Sequence, residues 1–256
     1  RSGESPVVVV AADGPAACFD MAFEAFRLAI RAMCPVYLLS DGFVANSAEP
    51  WRIPDPDDLP DLRVCHATAP ETFRPYARDP LTLARPWALP GTPGLEHRVG
   101  GLEKKNVSGR VSYLPLDHEE MVAVRAAKVA SLADAIPEQQ VFGPESGDVL
   151  VLGWGSTCGS IRSAVRRAQE AGKSVAHAQL RYLNPSPRNL EALLGRYRTV
   201  LVPEMNGGQL AFLVRGRFAA GHIVSQPKTQ GRPFSIGEIA RRIDEVLAGR
   251  AAGREG

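Results

Sequence analysis

Three polar side chains crowd the short turn Pro203-Glu204-Met205-Asn206-Gly207-Gly208-Gln209. An acid and two amides set so closely can hold a ligand, face a partner or cap a helix. The turn follows the apolar run Thr199-Val200-Leu201-Val202 and precedes a helical pattern, and its glycine pair lets the backbone reverse at little steric cost. Glu204, Asn206 and Gln209 therefore stand at the carboxyl end of a strand. Open parallel sheets keep ligands or partners along that edge.

A second turn of this kind, Gly153-Trp154-Gly155-Ser156-Thr157-Cys158-Gly159, follows the run Val149-Leu150-Val151-Leu152. Amides at a helix start attract anions, so the turn resembles a phosphate cradle. Its glycine spacing nevertheless departs from the Gly-x-Gly-x-x-Gly dinucleotide pattern. The next strand also ends in Ala178-Gln179-Leu180-Arg181, with no acid for a ribose hydroxyl. A dinucleotide is not expected here. Close helix–strand packing is one role for the turn, an anion or partner contact another. Asp41, in Ser40-Asp41-Gly42 at the end of a third apolar run, is a ligand or an Asx-turn residue. His97, in Gly94-Leu95-Glu96-His97, is of the type most readily recruited for proton transfer. It has no evident partner, so a loop hydrogen bond is the alternative.

Other chemistries lack a platform. The chain contains no Gly-x-Ser-x-Gly elbow, no Walker loop and no His-Glu-x-x-His. Cys18, Cys34, Cys65 and Cys158 form no Cys-x-x-Cys pair, so they read as reduced structural thiols and not as metal or iron–sulfur ligands. The 256 residues are 45% apolar, enough for real cores, with a formal charge of +2 and mixed signs throughout. That balance gives no footprint for nucleic acid. No apolar run approaches the ~20 residues of a membrane helix, and the first residues carry no signal-peptide apolar region.

The elements that must position these residues are of two kinds. Residues 7–12, a helix over 17–33 and residues 36–40 read as a β-α-β unit, with Phe19, Ala22, Phe23, Phe26, Ala29, Ile30 and Met33 on the helix's apolar face. Residues 45–116 carry prolines at 50, 54, 56, 60, 70, 75, 80, 86, 90, 93 and 115, which forbid long helices and central strands. Trp51, Phe73, Tyr76, Trp87 and Leu95 need something to pack on, so this stretch reads as an ordered arm laid over other subunits. Asp117 with Glu120 predicts a capping-box start for a helix over 118–136, with Arg125 and Lys128 solvated or ion-paired. From Gly147 onward strands and helices alternate: helices near 160–171, 189–197, 209–218 and 236–247, with strands between. That alternation predicts a doubly wound α/β domain, a parallel sheet covered on both faces. Taken alone, the spacings supply this domain and no complete active site.

A family resemblance adds what spacing cannot. Ala17-Cys18-Phe19-Asp20, Pro35-Val36-Tyr37-Leu38-Leu39-Ser40-Asp41-Gly42 and Ala45-Asn46-Ser47-Ala48-Glu49-Pro50-Trp51 resemble the α subunits of 2-oxoacid:ferredoxin oxidoreductases, the 2-oxoglutarate subtype most. Gly94-Leu95-Glu96-His97, Arg125-x-x-Lys128-Val129, Leu183-Asn184-Pro185-Ser186-Pro187-Arg188 and Val202–Leu210 continue the match in order along nearly the whole chain. The resemblance implies oxidative decarboxylation of a 2-oxoacid with CoA to an acyl-CoA and CO₂, electrons passing to ferredoxin, with thiamine diphosphate stabilising the carbanion. It also implies a β subunit that holds the diphosphate, Mg²⁺ and a [4Fe-4S] cluster, a second α subunit, a heterotetramer and a cytoplasmic setting. Residues 1–46 are then the remainder of the pyrimidine-side domain, 47–146 the arm, and 147–256 a transketolase C-terminal-like domain. The family's Tyr-Pro-Ile-Thr-Pro segment, cofactor glutamate and Arg-x-Gly-Pro-Ser-Thr-Gly loop have no counterpart here, so the chain reads as a piece of a longer subunit. The family's Gly-Leu-Glu-His-Asp-Glu loop diverges to Arg98-Val99 after His97. No catalytic residue or metal ligand is assigned on this chain. Asp41, His97, Glu204 and Asn206 are the candidates for contacts to the cleft or to a partner subunit. The rival readings are the β-type component of a thiamine-dependent 2-oxoacid dehydrogenase or a transketolase, and a non-catalytic assembly module.

Overall fold

The computed structural model describes residues 4–219 and 222–249. In chain order the elements are β1 (Val8–Ala11), α1 (Pro15–Ala32), β2 (Val36–Leu39), α2 (Gly42–Ala45), α3 (Pro115–Ser131), β3 (Gly147–Trp154), α4 (Cys158–Glu170), β4 (Val175–Leu180) and β5 (Tyr182–Asn184). They continue with α5 (Leu190–Leu194), β6 (Tyr197–Glu204), α6 (Gln209–Arg217), β7 (His222–Pro227) and α7 (Ile236–Leu247). The chain divides into two compact units. One gathers Arg1–Val10, Ala22–Leu38 and Arg52–Ile136, the other Ala11–Met21, Leu39–Trp51 and Pro137–Gly256.

In the first unit the proline-rich arm is ordered without regular structure, as its aromatic residues predict. Trp87 donates its indole N–H to the Ile30 carbonyl at 3.2 Å, and Leu95 is buried. Tyr76 is flanked by the Arg78 and Arg85 guanidinium groups, whose attraction to the ring face helps hold the loop. The Lys104 ammonium is buried and donates to the Gly100 carbonyl at 2.6 Å and to the Leu102 carbonyl.

Helix α3 departs from expectation at its start. The Asp117–Glu120 capping box does not form: Asp117 accepts from Ser112 Oγ at 2.6 Å and Glu120 from Asn106 Nδ2 at 2.8 Å. Pro115 fixes its own φ for a first helical position, where no N–H is needed, so the helix begins two residues before Asp117. Arg125 pairs with Glu103 at 3.2 Å as expected, but Lys128 is buried and donates to the Met33 carbonyl at 3.2 Å. The covered face of α1 also differs from the aromatic one. Its buried positions are Ala17, Met21, Leu28 and Ala32, while Phe26 is 61% exposed. The aromatic side chains lie outside that buried stripe, with Phe19 leaning on Trp51 at 5.0 Å.

The second unit holds a four-stranded parallel sheet in the order β4-β3-β6-β7. Leu150 and Leu152 of β3 face the helices α5 and α6, while Val149 and Val151 face α4 and α7. Alternation along the strand thus puts apolar side chains on both faces, which is why β3 and β6 read as unbroken apolar runs. The doubly wound reading holds. Helix α7 starts with a complete capping box, Ser235 with Glu238. Strand β5 escaped the sequence pattern because it is only three residues long and half-buried.

Candidate functional site

The chain runs from β3 out to β4 and then returns to β6 on the other side of β3. Where the winding reverses, a crevice is expected between the carboxyl ends of β3 and β6. Here that crevice is bridged from within. Trp154, last residue of β3, donates its indole N–H to Glu204 Oε1, last residue of β6, at 3.3 Å. Glu204 is fully buried, and it also accepts from the amides of Leu210 at 2.8 Å and Ala211 at 3.0 Å and from Asn206 Nδ2 at 3.2 Å. Asn206 Oδ1 in turn takes the Gly208 amide at 2.7 Å and the Gln209 amide at 3.2 Å. Two side chains thus accept the amide hydrogens of four successive residues at the start of α6. A negative charge there is favoured by the helix dipole. Gly208 makes the turn possible: its φ is +92°, and a Cβ would lie 2.9 Å from Ser225 Oγ.

Asp41 serves a related purpose. Its Oδ1 accepts from the amides of Phe43 and Val44, each at 3.0 Å, and so caps α2, while Oδ2 accepts the Ser156 amide at 2.9 Å. Burial alone raises this carboxyl's pKa. The hydrogen bonds from Ser156, Val44 and Phe43 outweigh it and hold the group below the ordinary range. Asp41 is therefore both an Asx-type turn residue and a clamp on the turn after β3. The glycines of that turn serve packing. A Cβ at Gly153 would meet Gln179 Oε1 and Ile161 Cδ1, both at 2.6 Å, and Gly155 has φ +61°. Asp41 and Glu204 thus hold residues Trp154–Ser156 from two sides.

His97 belongs to the first unit and not to this cluster. Its Nδ1 lies 2.8 Å from the Leu95 carbonyl, so Nδ1 carries a proton and donates it to that oxygen. The ring packs on Phe73 at 5.3 Å and lines a cavity of about 450 Å³ with Trp87, Leu95, Met33 and His66. Among the described residues no group of three or more His, Cys, Asp or Glu side chains could hold a metal ion. No helix of the described residues is long and apolar enough to cross a membrane.

Sequence reasoning passed over two groups. Asp13 pairs with Arg181 at 3.0 Å, a contact across 168 positions of sequence. His177, inside β4, is 1% exposed. Its only advance signal was a polar residue at the centre of the run Val175-Ala176-His177-Ala178.

Two family models match. Residues 1–113 fit the thiamine diphosphate-binding domain of pyruvate flavodoxin/ferredoxin oxidoreductases, and residues 147–228 fit core domain II of pyruvate:ferredoxin oxidoreductase. The 2-oxoglutarate oxidoreductase subunit KorA of Mycobacterium tuberculosis is 50% identical over 98% of the chain. The chain belongs to the 2-oxoacid:ferredoxin oxidoreductase α-subunit family. A structure of the 2-oxoglutarate:ferredoxin oxidoreductase from Magnetococcus marinus, with 2-oxoglutarate, coenzyme A and succinyl-CoA bound, superposes with a TM-score of 0.88 at 31% identity. It covers 96% of this chain and 43% of that one. The α subunit of 2-oxoacid:ferredoxin oxidoreductase 1 from Aeropyrum pernix is 27% identical over 96% of the chain. The chain spans 38% of the M. tuberculosis protein and 39% of the A. pernix one.

Proposed function

We propose that this chain forms part of the α subunit of an enzyme that oxidatively decarboxylates 2-oxoglutarate, or a related 2-oxoacid. The products are acyl-CoA and CO₂, and a pair of electrons passes to ferredoxin. The observation that carries this reading is 50% identity to KorA over 98% of the chain. The bound 2-oxoglutarate and coenzyme A of the M. marinus relative support the substrate class.

Thiamine diphosphate supplies the carbanion chemistry in such an enzyme. The acids near the sheet edge of this chain do not fit a diphosphate-bound Mg²⁺. Asp13 is held by Arg181, Glu49 accepts the Ala16 amide at 2.6 Å, and Asp41 and Glu204 are occupied as described. On this reading the diphosphate, Mg²⁺ and the [4Fe-4S] cluster belong to the β subunit. Residues 1–46 complete the pyrimidine-side domain, 47–146 form the arm and 147–256 form the transketolase-like domain. The partners are the β subunit and a second α subunit in a cytoplasmic heterotetramer, with ferredoxin and CoA engaged by the whole. The part of this chain is positional. Glu204 and Asn206 shape the 203–208 turn and Asp41 the turn after β3, so that exposed backbone there meets a neighbour. His97 lines a cavity and is the candidate there for contact with a cleft or a partner subunit.

Co-expression with the β subunit tests the assembly. We expect a brown complex that co-purifies at fixed stoichiometry. A colourless chain eluting alone at every salt concentration would sink the reading.

A further inference from the structure

Asn206-Gly207 is the chain's one asparagine–glycine pair; the other asparagines precede Ser47, Val107, Pro185 and Leu190. Such a pair carries a reaction of its own. The backbone nitrogen that follows an asparagine can attack the side-chain amide carbon, and glycine, with no Cβ to shield that nitrogen, permits it most readily. Gly207 leaves the approach open. It is exposed, a Cβ on it would meet nothing within 4 Å, and among the described residues its N–H donates to no acceptor. The nucleophile stands free in water at the carboxyl edge of the sheet.

The electrophile does not. The Asn206 amide is held at both ends, Oδ1 by the Gly208 amide at 2.7 Å and the Gln209 amide at 3.2 Å, Nδ2 by Glu204 Oε1 at 3.2 Å. Cyclisation removes the Nδ2 bond outright and draws Cγ, with its oxygen, toward the Gly207 nitrogen and off the α6 amides. Nδ2 must also gain a proton before it can leave as ammonia. The oxygen it faces is an acceptor already taken up by the Leu210 amide at 2.8 Å and the Trp154 indole at 3.3 Å, so it has no proton to give.

We propose that Asn206-Gly207 is a deamidation site held shut by Glu204 and the α6 amides, so that the turn reacts once it opens. On opening, the Gly207 nitrogen attacks Cγ, the N–Cγ bond forms, the Cγ–Nδ2 bond breaks, and ammonia carries off the proton that Gly207 loses. Water then opens the succinimide at either carbonyl and leaves aspartate or isoaspartate at position 206. The sum is one water consumed and one ammonia released. The change runs one way. Either product sets a carboxylate where an N–H had faced Glu204, so two like charges meet across the turn. Isoaspartate also adds a methylene to the backbone just before the start of α6. A chain that has opened and reacted cannot rebuild this cap as it was, and the turn keeps a chemical record of its opening. The modification is separate from the decarboxylation proposed above and asks for no ligand beyond water.

Peptide mapping of the full chain by mass spectrometry tests it, since tryptic residues 199–215 hold Asn206 as their one asparagine. At mildly alkaline pH the folded chain should deamidate at least ~10-fold more slowly than the same chain unfolded in urea, because the reaction waits on local opening. Gly207→Ala should slow the reaction in urea by ~10-fold or more, which identifies the attacking nitrogen. Glu204→Gln should speed the reaction of the folded chain, and by more than Ile243→Ala does, a buried truncation in α7 that leaves every bond of the cap in place. Both rates are corrected for the unfolded fraction measured in denaturant. Should Glu204→Gln not fold, the ratio of folded to urea-unfolded rates in the unaltered chain decides the matter. Equal rates folded and unfolded, aspartate formed without isoaspartate, or a corrected Glu204→Gln rate no faster than that of Ile243→Ala would overturn the assignment.

Discussion

Replacing Glu204 by Gln changes one oxygen to an NH₂ at the most buried acid among the described residues. The carboxylate accepts from the amides of Leu210 and Ala211, the Trp154 indole and Asn206 Nδ2, all at 2.8–3.3 Å. The glutamine oxygen can keep part of this set. Its NH₂ then confronts an N–H with nowhere to turn, because the residue is fully buried. A hydrogen bond to a charged group contributes about 1.5–3 kcal/mol, and the negative charge at a helix start adds up to ~2. Because the set is cooperative and partly retained, about 3 kcal/mol of lost stability is the reasonable expectation. That is several times the ~0.5 kcal/mol of an ordinary surface change. Urea unfolding at pH 7, followed by tryptophan fluorescence, reads it, since Trp154 is itself bonded to the altered group. With a slope near 2 kcal/mol per molar, the midpoint should fall by roughly 1.5 M. A fall below about 0.5 kcal/mol would show that the buried carboxylate is not what fixes this turn.

Other perturbations give equally definite expectations. Gly208→Ala should cost about 1–3 kcal/mol, since φ +92° and a Cβ 2.9 Å from Ser225 Oγ oppose it, and Gly153→Ala more, with two contacts at 2.6 Å; denaturant midpoints check both. Asn206→Ala, which strips the Gly208 and Gln209 amides of their acceptor, should cost ~1 kcal/mol by the same measurement. His177 has a pKa lowered by burial from 6.5 to about 4, so the unfolded chain binds the extra proton between those values. Stability should therefore be full above pH 6.5 and fall as pH drops toward 4, by up to about 3 kcal/mol. His177→Asn should flatten that part of the pH–stability curve. The chain without its partner should show no micromolar affinity for thiamine diphosphate by calorimetry, because its acids are already engaged.

The sheet of the second unit was legible because both its faces are covered. Buried parallel strands such as Val149–Leu152 must be apolar throughout, and the helices between them must alternate with them. The turn after β6 was legible for a related reason, since strand, glycine pair and helix start leave few conformations. What its side chains do was not. Ligand, partner contact and helix cap stay open for Glu204 until Trp154 and the α6 amides, up to 50 positions away, are seen to claim it. Helix α1 misled because its period carries two apolar faces, and only packing decides that Met21 and Leu28 are covered while Phe26 is not. The Asp117–Glu120 signature lost to Pro115, which starts the helix earlier and frees both acids for Ser112 and Asn106. His177 and the Asp13–Arg181 pair depend on contacts between distant segments, and no local pattern announces them.

The most direct measurement is electron transfer by the complex proposed above, an α subunit containing this chain together with an iron–sulfur β subunit. A viologen dye should be reduced only when 2-oxoglutarate and CoA are both present, with acyl-CoA and CO₂ formed in step. Turnover that ignores CoA, or that passes electrons to a lipoyl or ketose acceptor and never to the dye, would contradict the assignment.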